Sequence, residues 1–254
     1  MLKNLARHLA PGIAADRARR HEADFRERTG ITRLAERLDP VVQAGPFAGM
    51  RYPPGRLGDV DAAGAKLLGI YERELQSVFE QAIQQRAQFT DIGCADGFFA
   101  VGMAMRGCPS VAYDISKSAR RLCGELAALN GAQVEIRSTF DEPPAGGLLL
   151  CDIEGAERQL FTSGLAAALA DVSVVVEVHE DQQPGTAAHL RELFSATHED
   201  ERIDHRPLQP EEVPVLADWD DEDVRKVVTE SRPDDLHWLY FTPRYAVPND
   251  TQTR

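Results

Sequence analysis

From residue 89 onward, short apolar runs alternate with stretches of helical period. Phe89–Ile92, Val111–Asp114, Val134–Arg137, Leu148–Asp152 and Val172–His179 read as strands. Phe98–Arg106, Lys117–Leu129, Ala156–Ala170 and Thr186–Ala196 read as the helices between them. Ser116 is a good N-cap for the second of these helices, and Asn130-Gly131 a good stop. Strands that are apolar on both faces and separated by helices imply a parallel sheet covered on both sides. The expected fold is therefore α/β, with a doubly wound, mostly parallel sheet.

Upstream, Leu67, Leu68, Tyr71, Leu75, Val78, Phe79 and Ile83 form one apolar face, so a single helix is expected over Lys66–Gln85. On that helix Glu72 and Glu74 are expected to be solvated, Lys66 to reach solvent or the carboxylate of a ligand, and Tyr71 to join the apolar face. Downstream, the acidic run 218–223 precedes a short helix, Val224–Glu230, whose positive end the carboxylates suit. A closing strand rich in aromatics is expected over Leu236–Thr242, with Trp238 and Tyr240 packed in the core. Residues 1–39 intersperse Leu and Ile with nine Lys/Arg and six Asp/Glu. They read as a helical appendage or a contact between copies in a homo-oligomer. Pro- and Gly-rich residues 40–65 read as a connector. The chain thus divides into an N-terminal extension, 1–65, and a main domain, 66–248.

Composition narrows the class. At 254 residues, 43% hydrophobic and 27% charged, the chain reads as an ordinary globular protein. A net charge of −13 repels phosphate backbones, so no nucleic-acid partner is expected, and no anionic membrane surface. No run approaches the roughly 20 apolar residues that span a bilayer. The N-terminus lacks the apolar stretch of a secretory signal. Cys94, Cys108, Cys123 and Cys151 have no paired spacing, which fits four reduced thiols, mostly buried, in the cytoplasm.

Candidate chemistry gathers at the strand ends. Asp91-Ile92-Gly93-Cys94-Ala95-Asp96-Gly97-Phe98 turns from a strand into a helix, where free backbone N–H groups suit a nucleotide-like ligand. A dinucleotide fingerprint would need a small residue where Phe98 stands. Asp114, at the tip of the next strand, can accept the hydroxyls of a ribose or serve as a helix N-terminal acid. Ser138 and Thr139 follow the third strand, where they contact a base or only make a turn. Asp152 with Glu154, and Glu177 with His179, are two apart in extended chain, so each pair shares a face. Neighbouring strands would bring all four together at the edge where open α/β sheets bind ligands. Each also has a purely structural reading, as a helix cap, an ion pair or a hydrogen-bonded core histidine.

The spacing of Asp91, Gly93, Ala95 and Gly97 resembles the first motif of class I S-adenosylmethionine (SAM) methyltransferases, with Ala95 in place of a glycine. Asp152-Ile153-Glu154-Gly155-Ala156-Glu157 and Glu177-Val178-His179 resemble the FkbM-type family of these enzymes. The resemblance implies a seven-stranded Rossmann-like sheet and O-methylation of a hydroxyl on a sugar, glycan or polyketide-type small molecule. It implies cofactor contacts at Asp91, Gly93, Ala95, Asp96, Gly97, Asp114, Ser138 and Thr139. An alcohol is a poor nucleophile until its proton is removed or its acidity raised. His179 suits the first task as a base beside Asp152 and Glu177. Mg²⁺ or Mn²⁺ on Asp152, Glu177 and His179 suits the second. Glu154 is a substrate-contact candidate and Trp219 a lid candidate. An NAD(P)-dependent oxidoreductase and a non-catalytic SAM-binding protein remain as alternatives.

Overall fold

The computed structural model describes residues 30–53, 55–206, 212–228 and 236–244. The helical reading of residues 1–29 lies outside them. Described helix begins with α1 (30–38). There follow α2 (Ala63–Leu68), α3 (Gln76–Gln85), β1 (Phe89–Ile92), α4 (Phe98–Met105), β2 (Ser110–Tyr113), α5 (Lys117–Leu129), β3 (Val134–Arg137) and β4 (Gly147–Cys151). The rest are α6 (Glu157–Leu160), α7 (Ser163–Ala168), β5 (Val172–Val178), α8 (Thr186–Phe194), β6 (His198–Asp204), α9 (Asp221–Val228) and β7 (His237–Pro243).

The seven strands form one sheet in the order β3-β2-β1-β4-β5-β7-β6. β7 runs antiparallel to both its neighbours, and the remaining pairs are parallel. The strand alternation builds two cores. Leu148, Leu150 and Val175 face a core shared with α3, α4, α5 and α9. Leu149, Cys151, Val174 and Val176 face a second core, shared with α7 and α8. This is the doubly wound α/β sheet expected from the apolar strands. All four cysteines are free and buried.

Val42, Phe47, Met50 and Tyr52 of the expected connector are buried in the first core, with Ile31 and Leu34 of α1. Phe47 packs edge-on to Phe98, with ring centroids 5.3 Å apart. No helix among the described residues is long and apolar enough to cross a membrane.

Three expectations about elements are corrected. The helix expected over 66–85 is broken, because the chain turns at Gly69, where a Cβ would lie 2.1 Å from the Ala44 carbonyl oxygen. Glu72 is therefore not solvated. It is buried with φ 46° and accepts a 2.9 Å hydrogen bond from Trp238 Nε1. Glu74 is also largely buried, beside His205 Nδ1 at 3.2 Å. The helix expected over 156–170 is two short helices, because buried Phe161 takes an extended conformation and Thr162 Oγ1 caps α7 by accepting the Leu165 N–H. β6 was not foreseen. Its His-Glu-Asp-Glu-Arg-Ile-Asp run has no apolar alternation, because it is an edge strand paired only to β7, and charge there discourages pairing with other chains.

Candidate active site

β1 is paired to β2 on one side and to β4 on the other, so the strand order reverses there. A cavity of about 880 Å³ opens at the carboxyl ends of these strands. That volume is in the range of small-molecule sites. It runs from the loops after β1, β2 and β3 to the residues that follow β4 and β5.

The first end combines a tightly packed glycine turn with the side chains after β2 and β3. Gly93 has φ 88°, and a Cβ on it would lie 1.6 Å from the Asp152 carbonyl oxygen. Gly97 has φ 87°, and a Cβ on it would lie 2.5 Å from Cys123 Sγ in α5. Both glycines are thus required by close packing within the fold, and Gly93 with Ala95 also lines the cavity. Asp114 Oδ2 accepts the Ala95 N–H at 3.0 Å, and Oδ1 accepts the Ser116 N–H at 2.7 Å. The carboxylate therefore ties the glycine turn to the start of α5 while facing the cavity. Ser138, Thr139 and Phe140 also line the cavity. Ile115 lines the same end and is 94% exposed, an apolar side chain with nothing packed over it.

Asp91, Asp96 and Gly97 do not line the cavity. Asp91 is buried under α4, its Oδ2 makes no hydrogen bond, and burial pushes its carboxyl pKa up to about 8 against a hydrogen bond from the Ala100 N–H. Asp96 Oδ1 receives Lys66 Nζ at 2.6 Å, and its Oδ2 receives the Tyr52 hydroxyl at 2.9 Å. Lys66 is therefore not solvated. It is 3% exposed, lines the cavity, and lies 4.7 Å from the centre of the Tyr71 ring. The sequence reading missed this ion pair because it joins residues 30 positions apart on different elements. Trp219 is buried away from the cavity lining, with Arg33 stacked 4.4 Å from its ring centre.

The second end is made of side chains. β4 and β5 are neighbours, so Asp152, Glu154, Glu177 and His179 converge as the pairing of their strands requires. His179 Nε2 lies 3.3 Å from Glu154 Oε2, 3.6 Å from Glu177 Oε2 and 3.9 Å from Asp152 Oδ1. Its Nδ1 lies 2.9 Å from Oε1 of Glu157, a fully buried carboxylate that closes the Asp152–Glu157 motif but has no site role in the sequence reading. Burial alone would lower the His179 pKa, but the Glu157 hydrogen bond and the charges of Asp152, Glu157 and Glu154 hold it above the ordinary histidine value. Burial raises Asp152, although a hydrogen bond with Glu177 and the nearby imidazole pull the other way. Glu154 has φ 53° and an exposed side chain at the rim.

Ligand atoms of Asp152, Glu154 and His179 lie within 4.8 Å of one another. The ligand set expected from sequence had Glu177 where Glu154 stands in this group. Oxygen donors with one imidazole suit Mg²⁺ or Mn²⁺.

No family model matches the chain, and no curated protein matches it. Among solved structures, it is similar to a tRNA (uracil-54, C5)-methyltransferase of Pyrococcus abyssi in complex with S-adenosyl-L-homocysteine, at 12% identity and a TM-score of 0.42. That likeness covers 68% of this chain and 38% of the other, so the chain spans well under half the length of that protein. It is also similar to a ribosomal protein L11 methylase of Lactobacillus delbrueckii, at 17% identity and TM-score 0.42, covering 69% of this chain and 81% of that one. A third is magnesium protoporphyrin IX methyltransferase of Synechocystis with bound S-adenosyl-L-homocysteine, at 13% identity and TM-score 0.41, covering 54% and 78%. Such distant likenesses fix no activity, so the functional reading rests on the cavity's own residues.

Proposed function

We propose that this chain is a SAM-dependent methyltransferase that transfers a methyl group to a hydroxyl. The FkbM-type motifs favour an acceptor hydroxyl on a sugar, glycan or polyketide-type small molecule. The observation that carries the reading is one cavity with a glycine turn and the Asp114 carboxylate at one end and His179 at the other. SAM supplies a methyl on a positive sulfonium, which an oxygen nucleophile attacks in line. Asp114 is placed to accept ribose hydroxyls. Ile115 and Phe140 offer apolar surface to a base, with Ser138 and Thr139 beside them. Gly93 and Ala95 let the ligand reach the main chain. At the other end, His179 Nε2 accepts the hydroxyl proton as the oxygen attacks. Holding both partners in one cavity supplies the alignment that in-line transfer needs.

A second reading of the same end is favoured by the convergence of Asp152, Glu154 and His179. These three would hold Mg²⁺ or Mn²⁺, which would make the acceptor hydroxyl more acidic.

Calorimetric titration with S-adenosylhomocysteine is expected to show binding, with Asp114→Ala losing most of the affinity. No binding, or binding of NADH in its place, would reject the reading. A screen with methyl-labelled SAM against sugars and hydroxylated metabolites then finds the acceptor. Repeating it with chelator separates the base from the metal.

A further inference from the structure

Glu157 begins α6 and is completely buried. Its Oε1 accepts the Gly155 N–H at 3.0 Å and lies 2.9 Å from His179 Nδ1. Because Oε1 already takes a main-chain N–H, it is the acceptor in this cluster. The proton between the two side chains must then sit on Nδ1 of the imidazole. In a neutral ring this leaves the lone pair on Nε2, since the bond made by one ring nitrogen sets the state of the other.

We propose that Glu157 is a positioning residue that fixes His179 in the Nδ1–H tautomer, with the Nε2 lone pair turned to the acceptor end of the cavity. The inference rests on the reading of His179 as the group that meets the acceptor, and it holds whether Nε2 takes a proton or a metal. The Gly155 bond gives the anchor a second function. Glu154 and Gly155 both have left-handed backbone, with φ 53° and 91°, so Glu157 Oε1 pins the turn that carries Glu154 to the rim. One buried oxygen thus registers the turn after β4 against the histidine after β5. This is the logic of a carboxylate orienting a catalytic or ligating histidine.

The test is ¹⁵N NMR of histidine-labelled protein in alkaline buffer, where the ring is neutral, with His179→Gln used to assign the signal. Wild type is expected to show a protonated Nδ1 and a bare Nε2, the reverse of the tautomer free histidine favours in water. Glu157→Met removes the acceptor and is expected to move the proton to Nε2. Glu157→Gln keeps an acceptor oxygen and is expected to retain Nδ1–H. An Nε2–H signal in wild type overturns the proposal, as does Nδ1–H retained in Glu157→Met. If Glu157→Met does not fold, the wild-type spectrum alone decides. Failure of the underlying reading is separate, because His179→Gln would then transfer methyl groups as fast as wild type whatever the tautomer.

Discussion

The two ends of the cavity are built by different means. At the first end the glycine turn is held by close packing of the main chain. Gly93 abuts the Asp152 carbonyl, Gly97 abuts Cys123, and Asp114 ties Ala95 to Ser116. At the His179 end the surface is side chain, and each group's state depends on its neighbours' charges. Backbone geometry is stiff, so the first end is a fixed mould. A cluster of titratable groups responds to pH and ligand, so in the proposed function the second end is where chemistry would be tuned. Mutations should therefore separate binding from turnover.

The largest effect sharpens the contrast from behind the mould. Asp91 is raised to about 8 in the fold, well above an ordinary carboxyl. A raised folded pKa contributes stability that is complete below the unfolded value near 4 and lost as pH rises to about 8. The slope is about 1.4 kcal/mol per pH unit across that window. Asp91→Asn is neutral throughout, so it should gain on wild type steadily from pH 5 to 8 in urea unfolding. Parallel curves would mean that Asp91 is ionised in the fold.

Next in size is His179→Ala, with an expected loss of about 10²–10⁴ in methyl-transfer rate. Affinity for S-adenosylhomocysteine should not change if the first end holds the nucleoside as proposed. An equal loss of both would erase the distinction between the two ends. Somewhat smaller is Lys66→Met, which leaves Asp96 buried without its cation and should cost about 3–5 kcal/mol in unfolding free energy. A shift under 1 kcal/mol would mean that solvent reaches Asp96 in place of Lys66.

Sequence legibility followed the same division. The glycine turn and Asp114 could be read because each is local: a strand, a turn and a helix cap within one stretch. The meeting of Asp152, Glu154, Glu177 and His179 could be read because two-residue spacing on neighbouring parallel strands forces it. What stayed hidden needed partners from distant elements. Lys66 is buried because Asp96 awaits it, and Glu72 because Trp238, 166 residues on, donates to it. An isolated helical pattern shows neither partner and sends both charges to solvent. Glu157 was equally invisible as an anchor, because its hydrogen bond to His179 joins the start of α6 to the end of β5.

The smallest expected effect probes an exposed apolar side chain of the first end that no motif announces. Ile115 follows Asp114 directly and is almost wholly exposed, yet it lines the same cavity as Phe140. A large aliphatic side chain left uncovered at a site wall gains by burial when a flat ring lies on it. Ile115→Ala removes part of that surface without touching the carboxylate or the glycine turn. Affinity for S-adenosylhomocysteine should fall by about 1 kcal/mol, or roughly five-fold, by calorimetry. Melting temperature without ligand should hardly move, since the side chain packs against nothing in the free protein. Unchanged affinity, with Asp114→Ala still damaging, would place the base elsewhere along the wall and leave Ile115 as plain surface.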